Sequence, residues 1–373
     1  MSAPRRVGLN ALFLDPGVSG GSETYLRSLV PALVEGFPAT RFELATTRRG
    51  ARALREESWA GSVEVLDLGC DDDQPFRRTL AEQISLPRLA RARGWDVLHS
   101  LANRAPRWAG TASVVTVHDM IFFHHLTMGA LSTYGMRWAV RAGSGGADAL
   151  ISGSEASADE VASTLGVARD RIVAIPHGAG RVPARPLDVQ PVRERHGIAD
   201  GRVVLCVAAK RPHKNQRLLV EALGRLPDDV RLVLVGHDEG YGSELAGAAA
   251  QLGVSERVRL LEGVPDAELE ALWESAGCAA FPTLAEGFGL PVLEAMRRGV
   301  PVACSDIPVL HEVGGNAARF FDPHDPGAAA AAIAACLSDA SAGARGREQA
   351  AAFTWERAAA QTFAVYERVL VGR

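Results

Sequence analysis

From one end of the chain to the other, short apolar runs alternate with longer stretches in which apolar residues return every third or fourth position. Runs of about 4–8 apolar residues fit strands buried on both faces, and the helical rhythm between them fits helices laid against such a sheet. In the first half the pattern predicts strands over 7–13, 41–46, 63–68, 97–100, 113–117, 149–152 and 172–175. Helices are predicted among them over 23–35, 79–93, 131–143 and 157–165. A second series of strands is predicted over 203–208, 231–235, 258–261, 279–281, 300–303 and 319–321, with a closing helix over 354–370. Alternation of this kind builds parallel sheets covered by helices.

From Pro176 to about Asp200 the rhythm stops. The stretch holds Gly178, Gly180, Pro183, Pro186 and Pro191 among few apolar residues, which is the composition of a linker. The expected organisation is an α/β domain over 1–180, a linker over 181–200, a second α/β domain over 201–353, and a helix over 354–373 that packs back on the first. Two doubly wound parallel sheets facing a cleft follow, and ligands of such sheets sit at the carboxyl ends of the strands.

Composition narrows the function. With 373 residues, 47% of them apolar and 23% charged, the chain has material for two cores and none of the bias of a disordered protein. Forty basic side chains against 44 acidic leave a net charge of −4, so nothing general in the electrostatics points to nucleic acid. The apolar stretch after the N-terminus is too short for a secretory leader or a membrane span. The five cysteines, Cys70, Cys206, Cys278, Cys304 and Cys336, are scattered without a Cys-x-x-Cys pair. A cytoplasmic protein without a disulfide framework is expected. No metal site is expected either, since His118, Asp119, His124 and His125 lack a fixed ligand spacing.

Two places stand apart chemically. Of the 40 basic residues 38 are arginines, and the two lysines, Lys210 and Lys214, are four positions apart. An ammonium kept at one place in an arginine-rich chain points to a role that a planar guanidinium fills less well. The second place is FPTLAEGFGLPVLEAMRRG, residues 281–299, which reads as strand, glycine-punctuated loop, and helix opening with Pro291. Gly287 and Gly289 allow a tight turn, and the free amides and dipole at the helix start suit a phosphate. Glu286 on the loop and Glu294 one turn into the helix are expected to face the same cleft at different depths.

EGFGLPVLE, with Glu286 and Glu294, resembles the Glu-x7-Glu motif of family 4 of the retaining nucleotide-sugar glycosyltransferases, the GT-B enzymes also called glycosyl transferases group 1. VAAKRPHKNQRLLVEAL resembles the family's phosphate-binding turn, and RVRLLEGVPDAELEALWESAGCAAFPT, with Val264, its base-binding stretch. TVHDMIFFHH, ISGSEASADEV, IPHGAG and FTWERAAAQTFAVYERV are similar to its landmarks in the first domain, the linker and the closing helix. The resemblance implies an acceptor-binding first domain and a second domain that binds a nucleotide diphosphate sugar without a metal or other cofactor. It implies that Glu286 and His118 lie beside the donor sugar, Lys214 beside the diphosphate and Glu294 beside the ribose. The backbone of Phe288, Gly289 and Leu290 would cradle sugar and diphosphate, and Gly20 and Gly21, in PGVSGGSETYL, would reach the diphosphate and acceptor. The family usually has arginine five residues before the lysine. Ala209 stands there in this chain, so Lys210 or Arg211 is expected to supply the charge, Lys210 in preference.

The implied activity is transfer of a hexose-type sugar to a hydroxyl of a saccharide, a lipid-linked saccharide or a natural product. The alternatives are a nucleotide-sugar epimerase on the same fold and a non-catalytic sugar-nucleotide-binding subunit. Asp15 and Glu23 are expected to cap or solvate. Arg77, Arg78, Arg88, Arg91 and Arg93, on a helix interrupted by Pro87, are read as a solvated face in preference to a membrane-docking one. A monomer or homodimer is expected.

Overall fold

The structure is a computed structural model that describes residues 3–71, 74–124, 130–180 and 187–372. The chain forms two units, Met1–Gly178 with Phe353–Arg373, and Ala179–Ala352. The first unit is built on a seven-stranded parallel sheet of β1 (Arg6–Ala11), β2 (Arg41–Thr46), β3 (Glu64–Asp67), β4 (Val97–Ser100), β5 (Ala112–Val117), β6 (Ala149–Ser152) and β7 (Ile172–Ala174). Their spatial order is β3-β2-β1-β4-β5-β6-β7. Leu9 of β1 lies beside Leu44 of β2 on one side and His99 of β4 on the other. β4, β5 and β6 are buried along their whole length, which is why their sequences carry no outward charge. The sheet changes its direction of growth between β1 and β4, and the carboxyl ends of strands open a crevice at such a point.

The closing helix, Trp355–Val371, belongs to this unit. Phe363 stacks on Phe37 with ring centroids 3.6 Å apart, and the Tyr366 hydroxyl lies 2.7 Å from His99 Nδ1. The helix predicted over 79–93 begins earlier. It runs from Pro75–Leu80 through a π-helical turn, Ala81–Ser85, into Leu86–Arg93. Pro87 therefore does not interrupt it: the widened turn just before absorbs the missing amide and the bulk of the ring.

The second unit holds a six-stranded parallel sheet of β8 (Arg202–Val207), β9 (Val230–Val235), β10 (Val258–Leu261), β11 (Ala276–Phe281), β12 (Val302–Ser305) and β13 (Ala318–Phe321). The order is β10-β9-β8-β11-β12-β13, so growth reverses between β8 and β11. Part of the expected linker is a helix, Val189–Arg195, with Pro191 in its first turn. It is anchored on this unit, since Val192 is buried and both Arg195 and His196 pair with Glu268. Prolines at 183, 186 and 191 masked that short helix in the sequence pattern.

Candidate functional site

Lys214 and Glu286 follow β8 and β11, the two neighbours at the reversal point. Residues 208–211 lead from β8 into the 3₁₀ turn Pro212–Lys214, after which Asn215 takes φ +54°. Asparagine tolerates this left-handed conformation better than most residues do. Its side-chain amide donates to the Pro323 carbonyl at 2.8 Å, and the buried Gln216 donates to the Ala209 carbonyl at 2.9 Å. On the other loop the Leu284 amide donates to the His213 carbonyl at 2.8 Å, and the Thr283 hydroxyl to the Ala285 carbonyl at 2.8 Å. The two loops are thereby tied together. Lys214 Nζ meets Glu286 Oε1 at 2.5 Å, with the side chains 19% and 16% exposed.

The helix Leu290–Arg298 starts beside this pair. Gly289 precedes it with φ +99°, and a Cβ there would come within 2.6 Å of the Leu310 side chain, so glycine is required twice over. Gly287 does not share that conformation. No side chain caps the helix, and the amides of Gly289 and Leu290 have no hydrogen-bond partner among the described residues. Lys214, Glu286, Gly289, Pro291, Thr283 and Leu310 line one pocket of about 290 Å³, counting its open mouth. An ammonium and a helix start lie there next to a carboxylate. This set can hold an anionic group through the first two and hydroxyl groups through the third.

Glu294 is not part of that wall. It is half-buried one turn along the helix, and a Cβ on Gly180 would approach its Oε1 to 2.4 Å. Burial pushes its carboxyl above the ordinary glutamate range, Glu270 adds to the rise, and Arg298 opposes it. Arg298 is itself held by Glu270 at 2.9 Å and donates to the Glu294 main-chain carbonyl at 3.0 Å. Phe288 is buried, Leu290 is half-buried, and Val264 is half-buried in the loop after β10.

In the first unit, Gly20 takes φ +55° and precedes the helix Gly21–Gly36, which no side chain caps. Asp15 pairs with Arg49 at 3.0 Å, and Glu23 pairs with Arg27 at 2.8 Å and accepts the Gly17 amide. His118 follows β5. Its Nε2 is 2.9 Å from the Leu101 carbonyl, and its amide donates to Asn103 Oδ1 at 2.7 Å. Burial pulls its pKa down to about 4, so at neutral pH the ring is an uncharged hydrogen-bonding group. Only the backbone of His124 is described, and His125 lies outside the described residues. Among the described residues no cluster of three or more His, Cys, Asp or Glu side chains is arranged to hold a metal, and no single helix is long and apolar enough to cross a membrane.

Residues 188–353 match the family described as Glycosyl transferases group 1, and residues 19–179 that described as Glycosyltransferase Family 4. The chain belongs to this glycosyltransferase family. It is 34% identical over 229 residues to O-antigen chain mannosyltransferase B of Escherichia coli, an alignment covering 58% of this chain and 60% of that one. The chain thus spans less than two thirds of that relative's length. In fold it is similar to sucrose-phosphate synthase from Thermosynechococcus elongatus, with a TM-score of 0.77 and 21% identity over 99% of this chain and 100% of that one. It is also similar to Anabaena HepE in complex with UDP and glucose, with a TM-score of 0.75 and 22% identity over 96% and 98% of the two chains. The architecture is GT-B.

The chain departs from expectation at Lys210. Lys210 is 2% exposed, and its ammonium donates to the carbonyls of Gly236 and Leu261, the latter at 2.8 Å. Those carbonyls lie at the ends of β9 and β10, and burial holds the Lys210 pKa below the ordinary lysine range. Arg211 pairs with Glu239 at the surface. Neither residue lines the pocket that holds Lys214. A compact ammonium at 210 serves as a brace between strand ends. Asn215, Gln216, Gly180 and Arg298 lie within motif stretches, but nothing in the sequence marked them as supports of the site; an asparagine, tolerant of the left-handed conformation, directly after Lys214 is the one local signal.

Proposed function

We propose that this protein is a retaining glycosyltransferase that moves a hexose-type sugar from a nucleotide diphosphate to an acceptor hydroxyl. The observation that carries the reading is the meeting of Lys214 with Glu286 at 2.5 Å beside an uncapped helix start. Glycosyl transfer develops positive charge at the anomeric carbon and negative charge on the departing diphosphate. An ammonium and a helix start beside the diphosphate stabilise the latter more in the transition state than in the ground state. Glu286 is suited to accept hydrogen bonds from the sugar hydroxyls, and Glu294 from those of the ribose. The UDP and glucose bound by the Anabaena neighbour support a nucleotide-sugar donor.

The acceptor, a hydroxyl of a saccharide, lipid-linked saccharide or natural product, would approach the face from which the leaving group departs. The bond from the anomeric carbon to the phosphate oxygen breaks, the bond to the acceptor oxygen forms, and the acceptor proton passes to a diphosphate oxygen. The anomeric configuration is kept. Incubating the full chain with UDP- and GDP-linked hexoses and candidate acceptors, with NMR of the product, tests this. Release of nucleoside diphosphate with a retained anomer is expected. An inverted product contradicts the retaining route, an epimerised donor without transfer indicates an epimerase, and donor binding without turnover indicates a binding subunit.

Two further outcomes follow. Lys214 and the helix start take the place of a divalent ion in this reading, so EDTA is expected to leave kcat within about twofold, whereas loss of a catalytic metal would remove several kcal/mol of stabilisation. Collapse of the rate with rescue by Mg²⁺ would contradict that. Glu294 acts differently. A carboxyl whose folded pKa is raised favours folding below its unfolded pKa, and this contribution is lost as pH rises through the folded value. Glu294→Gln is therefore expected to raise Tm at neutral pH. Loss of a charged hydrogen bond to ribose is expected to weaken donor binding about tenfold. Thermal melts and donor titration of the same preparation check both signs.

A further inference from the structure

His177 and Gly178 end the first segment of the first unit, and Trp355 follows soon after the chain returns to that unit at Phe353. The two stretches are packed tightly together. A Cβ on Gly178 would lie 2.5 Å from the Trp355 amide nitrogen, and the His177 and Trp355 rings stack with centroids 5.8 Å apart and planes 14° apart. Both rings pack against Tyr25 of the helix Gly21–Gly36, His177 at 4.8 Å and Trp355 at 5.8 Å between centroids. Tyr25 is 2% exposed. Its hydroxyl lies 3.1 Å from Thr116 Oγ1, which lies 2.8 Å from His99 Nε2. The tyrosine is thus held by aromatic neighbours along its ring and by a buried hydrogen bond at its tip.

Tyr25 also meets His118. Their rings lie 4.8 Å apart at 80°, and His177 approaches the same imidazole at 5.8 Å and 72°. A carbonyl oxygen only accepts, so the 2.9 Å contact with Leu101 places the proton of the uncharged His118 ring on Nε2. No described residue hydrogen-bonds Nδ1, which keeps its lone pair. Turning the ring over would exchange the two nitrogens, and Tyr25 and His177 pack against the ring that would have to turn. We propose, resting on the glycosyl-transfer reading for the identity of the substrate, that Tyr25 is a positioning residue. Backed by Trp355 and His177, its ring holds the His118 imidazole in one orientation and one tautomer, which leaves Nδ1 to accept a hydrogen bond from a substrate hydroxyl. A polar group aligned in this way depends on the packing behind it as much as on its own identity.

Two measurements on the full chain test the proposal: steady-state turnover of a nucleotide sugar, and heteronuclear NMR of the histidine rings at neutral pH, with His118→Gln identifying the His118 signal. The wild type is expected to show His118 protonated on Nε2 alone. Tyr25→Leu is expected to give a mixture of the two tautomers and to lower kcat by about 10–100-fold, with nucleoside diphosphate affinity unchanged. Tyr25→Phe keeps the ring and loses the bond to Thr116, so it is expected to lower Tm while kcat stays within about twofold and the single tautomer persists. In the His118→Gln background Tyr25→Leu should cost little more, because it acts through the missing imidazole. Should Tyr25→Leu fail to fold, Trp355→Leu at the rim of the cluster gives the same comparison. A kcat that follows Tm through these variants overturns the proposal, since that is what a merely structural role would give. So does full additivity with His118→Gln, or a wild-type His118 protonated on Nδ1. A wild type that turns over no nucleotide sugar removes the glycosyl-transfer reading instead, and the tautomers of the variants then decide whether Tyr25 orients the ring.

Discussion

Lys214→Ala is expected to lower kcat by about 10²–10³ while the protein stays folded, the range found when one preorganised group facing developing negative charge is removed. The lysine is positioned by others: the left-handed Asn215 fixed on Pro323, the Gln216 bond behind it, and the His213 carbonyl that ties its loop to that of Glu286. Its loss therefore removes a charge and spares the scaffold. Glu286→Gln is expected to cost turnover as well, because the 2.5 Å pair acts as one unit. The double variant should be little worse than the more damaging single one, since groups acting together are strongly non-additive. Lys214→Arg keeps the charge but spreads it over a planar fork and should recover only part of the rate. Steady-state kinetics on the four proteins, with circular dichroism as a folding control, decide this. Full activity in either single variant removes that residue from the mechanism.

Acid is expected to destabilise the first unit strongly. His99 is fully buried between Tyr366 and Thr116, at 2.7 and 2.8 Å, and burial lowers its pKa to about 3. His118 is lowered to about 4 and His177 also falls well below the ordinary value of 6.5, each chiefly through burial. The folded state holds these rings neutral, whereas the unfolded chain takes up their protons near 6.5. Stability is intact above that pH and is lost as pH falls from 6.5 towards the folded values. At ~1.4 kcal/mol per tenfold in proton affinity, His99 and His118 together withdraw on the order of 5 kcal/mol by about pH 4, comparable with the whole stability of many domains. The check is the pH dependence of the unfolding free energy in urea. Its slope in this range should be shallower by about one proton in His99→Gln, whatever that change does to absolute stability. An unchanged slope would mean that His99 titrates normally.

Strand-and-helix periodicity was enough to read both sheets, because parallel strands covered on both faces leave long apolar runs such as those of β5 and β6. It erred where local chemistry and packing diverge. Pro87 reads as a break but is absorbed by a π-helical turn, and the helix Val189–Arg195 hides in a proline-rich stretch because Val192 and the Glu268 partners that hold it are far apart in sequence. The lysines divide in the same way. Composition singled out both, yet only the fold distinguishes Lys214, facing Glu286, from Lys210, buried under two carbonyls. Gly180 was visible as part of a flexible-looking stretch and of IPHGAG; its closeness to the Glu294 carboxylate, more than a hundred positions away, was not.

Calorimetric titration of a nucleoside diphosphate into the wild type and into Lys214→Ala asks whether the anion sits at the Lys214 and Gly289 end of the sheet. Binding to the wild type is expected, with an affinity at least about tenfold lower in the variant, the loss of one charged hydrogen bond. Equal affinities in the two proteins would contradict that placement of the anion.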